Sequence, residues 1–192
     1  MNLPHAFSYV AAGLALTAAF LINPFTCLAQ DLSPAAITSQ EDALRAAIRK
    51  AEDARNAGDD ANALTYYDAV IKGWPGAPVG YAGKGVVLMN RNRHRDALPL
   101  FEKAKQLAAD KHTYQALIAA TIFELSEFDR AIAAVNEAFT LGSKDPNLLV
   151  LRGIAYSRTR EPEKALADFA AASAADPKLD RPYLEKGFSL LQ

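Results

Sequence analysis

Between Leu44 and Leu179 apolar residues recur at helical spacing in short runs, each separated from the next by a few polar or turn-forming residues. The stretch 146–179 shows the unit clearly. Leu149, Gly153 and Tyr156 fall at i, i+4 and i+7, and Ala165, Phe169 and Ala172 repeat that spacing after a tight turn, so the stretch reads as two amphipathic helices. Pro177 ends the second helix, because proline lacks an N–H and disfavours helical geometry in the residue before it. The small residues permit close approach of the two helices, with Tyr156 and Phe169 expected to fill the space between them. Such a hairpin cannot bury its second face alone, and the sequence supplies copies of it. Steps of 34 residues back from Ala165 reach Ala131, Ala97 and Ala63; from Phe169 they reach Val135, Phe101 and Tyr67; from Ala172 they reach Ala138, Ala104 and Val70. Gly153 maps in the same way onto Ala119, Gly85 and Ala51, and forward onto Gly187. A fixed period of this length without gaps is the signature of a helical repeat array.

These phased positions, with Gly58-Asp59 at a turn and Trp74-Pro75 and Asp176-Pro177 at helix ends, resemble the tetratricopeptide repeat (TPR) proteins, and among them the exported bacterial type. The resemblance implies an all-α fold, a right-handed α-solenoid of four 34-residue helix-turn-helix repeats at 44–77, 78–111, 112–145 and 146–179. A closing helix is expected at 180–192, with Tyr183, Gly187 and Leu190 in phase and Arg181, Glu185, Ser189 and Gln192 on another face; alternatively the chain continues and the helix is truncated. Within repeat three, Gly142 is expected to cap the second helix in the left-handed conformation.

The array is preceded by a segment of different character. Residues 1–29 contain no Asp, Glu, Lys or Arg, and Val10–Ile22 is an apolar run shorter than the ~20 residues of a membrane span. Small residues around Cys27-Leu28-Ala29 suit cleavage before Gln30, so 1–29 reads as a signal peptide, with an uncleaved anchor or a lipidated Cys27 as the alternatives. Residues 30–43 read as a linker or N-terminal arm, with Thr38 or Ser39 positioned to cap the next helix and Glu41 and Asp42 in its first turn. Cleavage would leave a mature chain without cysteine and without thiol chemistry.

Charge and motif content narrow the function. A formal net charge of −1 gives no electrostatic reason to expect nucleic acid or an anionic membrane surface, so membrane contact is expected only through the N-terminal segment. Glycine-rich phosphate loops, G-x-S-x-G, H-E-x-x-H and C-x-x-C are missing, and the three histidines at 5, 94 and 112 are scattered. No catalytic residue, metal or cofactor is expected. Arg91-Asn92-Arg93-His94-Arg95 is a basic turn able to meet a phosphate or carboxylate, though clusters of this size are commonly solvated surface.

In the family this sequence resembles, the first helix of each repeat lines a concave face that holds a partner. Mapped by phase, the lining is Arg45, Ile48, Glu52 and Arg55 in repeat one, and Val79, Ala82, Val86, Met89 and Asn90 in repeat two. Repeats three and four add Ala116, Ala120, Phe123 and Glu124, and Val150, Ile154, Ser157 and Arg158. The partner-binding residues expected are Val79, Ala82, Val86, Met89, Asn90, Ala116, Ala120, Phe123, Glu124, Val150, Ile154 and Arg158, forming an apolar groove with charge towards its ends. Family members that clamp a chaperone's carboxylate tail use Lys and Asn where this chain has Ile48 and Glu52, so that clamp is not expected. The reading is a non-catalytic, exported periplasmic scaffold of the cell envelope that binds another protein in its groove. An accessory protein or N-terminal arm of a larger secretion or polysaccharide-export system is the alternative.

Overall fold

The computed structural model describes residues 34–177 and 179, and every regular element among them is a helix. These are α1 (Pro34–Asn56), α2 (Asp60–Gly73), α3 (Pro78–Asn90), α4 (His94–Leu107), α5 (His112–Glu124), α6 (Phe128–Thr140), α7 (Pro146–Arg158) and α8 (Pro162–Ala175). Each helix packs on its neighbour in sequence, and α1 also touches α3 and α5 touches α7. The result is a chain of hairpins, an α-solenoid in which first helices adjoin first helices. The segment 1–29 and the closing helix expected at 180–192 lie outside the described residues.

The first helix begins earlier than its polar sequence suggested. Residues 34–43, expected as part of a linker, belong to α1, so Thr38 and Ser39 lie inside the helix and do not cap it. Pro34 suits the first turn of a helix, and Ala35 and Ala36 propagate it at little cost, so a period in apolar residues is not needed there.

Within each hairpin the chain reverses through one device. The residue after the first helix's C-cap takes a left-handed conformation, at Gly58 (φ 75°), Asn92 (φ 58°), Ser126 (φ 61°) and Arg160 (φ 63°). In the first three turns the backbone N–H of that residue donates to the carbonyl three residues back, and the next N–H to the carbonyl five back, as in Asn92 to Met89 (2.9 Å) and Arg93 to Leu88 (2.9 Å). This Schellman pattern satisfies carbonyls that the helix end leaves orphaned. The same pattern closes α6, with Gly142 at φ 101° and Ser143 donating to Ala138 (2.9 Å), as expected for Gly142. The second helix of repeat one then starts on Asp59, whose carboxylate accepts from the Asn62 N–H at 3.1 Å; the second helices of the other three repeats start without a side-chain cap.

Aromatic rings fill the hairpins against glycine. A Cβ added to Gly85 would stand 2.7 Å from the Phe101 ring, and one on Gly153 would stand 2.6 Å from that of Phe169. Both phenylalanines are fully buried, each contributing roughly 1.5–3 kcal/mol of hydrophobic stabilisation. Tyr67 of repeat one reaches instead across the repeat junction, where a Cβ on Gly83 of α3 would collide with its ring. Tyr156, expected inside the last hairpin beside Phe169, sits half-buried at its rim, with Arg152 and Lys164 over its ring at 5.9 and 5.3 Å.

Polar ties join helices both within a repeat and across repeat junctions. Arg152 of α7 donates two hydrogen bonds of 2.7 Å to the buried Asp168 carboxylate of α8, and a third to Asn136 of α6. Fully buried Gln115 of α5 accepts from Lys105 of α4 (2.8 Å) and donates to the Ala134 carbonyl of α6 (3.2 Å), while Lys105 also reaches Glu137 (3.1 Å). Both polar ends of that glutamine are therefore satisfied, which is what allows it into the interior.

Candidate interaction surface

The face made by α1, α3, α5 and α7 is floored by packing. Of the expected lining residues, Ala82, Val86, Met89, Ala116, Ala120, Phe123 and Val150 are buried in the core. Met89 and Phe123, expected as adaptable anchors for a partner, are only 6% and 7% exposed. The Thr121 hydroxyl stands 3.6 Å from the Met89 sulfur, and Phe123 meets Phe128 edge-on with ring centroids 5.5 Å apart. These apolar side chains hold first helices together, so the apolar groove read from the sequence is largely an internal seam. What remains at the surface is Val79, Glu124 and Ile154, half-buried, with Asn90 and Arg158 exposed.

Three of these survivors share one register. Asn90, Glu124 and Arg158 each close the first helix of their repeat, one period apart, and follow directly on Met89, Phe123 and Ser157. None of the three side chains forms a hydrogen bond or ion pair among the described residues. Burial without a partner pushes the Glu124 carboxyl above its usual value. In repeat one the same ridge carries Arg55, half-buried, and Asn56, whose side-chain oxygen accepts from Arg55 at 3.4 Å. At the register of Asn56, Asn90, Glu124 and Arg158 the ridge thus reads neutral, neutral, acidic, basic along the solenoid.

The basic turn at 91–95 is partly neutralised by its own surroundings. Arg91 lies 3.8 Å from Asp60, and Arg93 Nε donates to Asp96 at 2.7 Å. A shallow depression of about 260 Å³ opens between Asn92, Arg93, His94, Arg95, Asp96 and Leu125. The His94 Nδ1 is enclosed there without a hydrogen-bond partner among the described residues, and burial holds the imidazole below its usual pKa, in its neutral form at neutral pH. The Asp96 carboxylate in the same depression opposes an incoming anion. His112 sits at the start of α5, paired with Asp110. Among the described residues no three His, Cys, Asp or Glu side chains are grouped as metal ligands, and no helix is long and apolar enough to cross a membrane.

No protein-family model matches the sequence, and no curated protein matches it. Solved structures do match. YrrB, described as a TPR protein with an unusual peptide-binding site, aligns at 19% identity over 82% of this chain and 89% of its own, with a TM-score of 0.62. TTC0263, a thermophilic TPR protein of Thermus thermophilus, aligns at 21% identity over 82% of this chain and 89% of its own, with a TM-score of 0.61. MamA from Desulfovibrio magneticus RS-1 aligns at 21% identity over 74% of this chain and 88% of its own, with a TM-score of 0.63. The fold is that of the tetratricopeptide repeat proteins. At these identities the likeness is one of backbone architecture.

The interaction ridge was only partly accessible to sequence reasoning. Phase alone selects Asn90, Glu124 and Arg158, but the same phase selects their buried neighbours. Gln115, Arg152 and Asp168 escaped because their partners lie 10 or more residues away, on other helices.

Proposed function

We propose that this chain is a non-catalytic protein-interaction scaffold that holds a segment of another protein along the face of α1, α3, α5 and α7. The observation that carries the reading is the row Asn90, Glu124 and Arg158. Side chains with unmet hydrogen-bonding capacity, in register on successive repeats, suit a partner laid along the solenoid better than a compact small molecule. Half-buried Ile154, one turn before Arg158 on α7, gives such a partner some apolar surface to cover. The TPR fold supports a protein partner, and the uncharged, apolar N-terminal segment supports export to the periplasm and an envelope component as that partner.

Photo-crosslinking tests this directly. A photoreactive amino acid placed at Asn90 or Arg158 is expected to trap a discrete adduct in cells, while the same probe at exposed Glu102 on the second-helix face of repeat two traps none. Equal trapping at all three positions, or none at Asn90 and Arg158, overturns the assignment of this face.

A further inference from the structure

We infer that the partner is an extended peptide bearing a basic side chain that pairs with Glu124 and an acidic side chain, one repeat further along, that pairs with Arg158. This deepens the proposed function and rests on it. The argument starts from the cost of leaving Glu124 as it stands. Its carboxylate is half-buried, and neither a cation nor a hydrogen-bond donor reaches it from the described residues, whereas Glu137, Asp168 and Asp68 each have a cation within 3.1 Å. Those three acids are paired across α2–α3, α4–α6 and α7–α8, whereas Glu124, the acid in the row at the first-helix ends, has no such pair among the described residues. A partly desolvated acid of that kind is most favoured by an incoming cation, which completes the pair that the protein lacks.

The neighbours on the ridge set the rest of the partner's chemistry. Arg158, exposed and without an acid among the described residues, faces the position one repeat beyond Glu124, so a second cation there is disfavoured and a carboxylate favoured. Asn90, on the other side of Glu124, offers an amide that can both donate and accept, the requirement for holding a peptide main chain. Packed helices lie about 8–10 Å apart, and an extended chain advances ~3.3 Å per residue. Side chains about three residues apart on the partner are therefore read by successive repeats. An extended strand meets this register directly; a helix would advance about six residues over the same distance at 1.5 Å each.

The test uses the full chain and short, capped, fluorescein-labelled alanine-rich peptides, followed by anisotropy at about 0.1 M salt. One carries Lys-Ala-Ala-Glu, a second Glu-Ala-Ala-Lys, and a third Glu-Ala-Ala-Glu. The wild-type chain is expected to bind one of the mixed-charge peptides at least about tenfold more tightly than the doubly acidic one. In Glu124→Lys the order is expected to invert, and in Glu124→Gln the discrimination is expected to collapse to within about twofold. Circular dichroism of both variants confirms that helicity is unchanged, with the glutamine variant as the one least able to disturb packing. If all three peptides bind equally and Asn90→Ala weakens them all, the ridge is the interface and the charge register is wrong. If none binds up to about 1 mM, the charge register falls, and the crosslinking at Asn90 and Arg158 alone then decides whether the face binds protein at all.

Discussion

Repeats two and three solve the same packing problem with different residues. In repeat two Phe101 lies across Gly85; in repeat three the pair at the same phase is Val135 and Ala119, both fully buried. Repeat four returns to phenylalanine and glycine, with Phe169 over Gly153. Repeat one carries Tyr67 with Ala51, and its ring finds room over Gly83 in the next hairpin, a position that holds Leu117 and Leu151 further along. The comparison teaches that the period preserves a volume and not an identity. A ring on one helix requires a missing Cβ opposite, and a smaller side chain permits that Cβ to return, as close-packed interiors demand.

Emptying the ring position breaks the comparison most sharply. Phe101→Ala and Phe169→Ala are each expected to lose about 3–5 kcal/mol of stability by urea denaturation, while Val135→Ala loses distinctly less because it leaves a smaller void. Equal losses at all three sites would show that volume is not what the period preserves. Filling the glycine is the reverse test. Gly153→Ala is expected to cost about 1–3 kcal/mol, and Ala119→Gly with Val135→Phe, which gives repeat three the residues of repeat two, should cost less than the sum of the single changes by at least ~0.5 kcal/mol. Strict additivity of that pair would refute a direct exchange of volume across the hairpin.

The same phase also distinguishes two ion pairs. Lys84 and Arg152 stand two periods apart, but Lys84 meets Asp68 at 2.5 Å with that carboxylate over half exposed, whereas Arg152 holds a carboxylate in two hydrogen bonds and is backed by Phe139 at 5.2 Å. Asp168→Asn is expected to lower stability by about 1–3 kcal/mol and Asp68→Asn by no more than ~1 kcal/mol in thermal melts, because only the first leaves a shielded guanidinium short of an acceptor. At the turns, Arg160→Gly relieves a side chain held at φ 63°, with an expected gain of roughly 0.5–1 kcal/mol, and Gly58→Ala incurs a comparable loss. The smallest effect expected concerns Glu124. Its folded-state pKa is raised, so the folded chain binds the proton more tightly than the unfolded one, and stability falls as pH rises from the unfolded value through the folded one. Glu124→Gln is therefore expected to be slightly more stable than wild type at pH 7, with the difference vanishing in acid below the unfolded pKa; a gain that persists there would assign the effect to packing.

The 34-residue step located the hairpins because each phase position has a fixed steric duty, as at Ala97, Phe101 and Ala104. Gly142 was legible for the same reason, since a left-handed cap follows from the residue itself. The left-handed Ser126 and Arg160 were not, because neither residue type favours that conformation and only register with Gly58 and Asn92 exposes it. The start of α1 was missed because Ala-rich, proline-initiated helix needs no apolar period. The interaction face was misjudged in its apolar part because helical phase gives direction around one helix and says nothing of how near the next helix stands. Met89 and Phe123 point as expected for a lining and are covered by neighbours that only the tertiary structure brings close.

The nearest-neighbour plan also has kinetic content. Apolar burial falls into separate clusters, one around Tyr67, one spanning α3 to α7 and one around Phe169, and the joining contacts are between helices adjacent in sequence or one repeat apart. Few long loops have to close before a cluster begins to form, so the entropic barrier is set by single hairpins and folding should be fast for a chain of this length. The terminal hairpins, each with packing on one side only among the described residues, should open and exchange their amide hydrogens ahead of α4 and α5. A partner seated across Asn90, Glu124 and Arg158 would then slow exchange in α7 far more than in α5, and so lengthen the cooperative unit without changing its architecture.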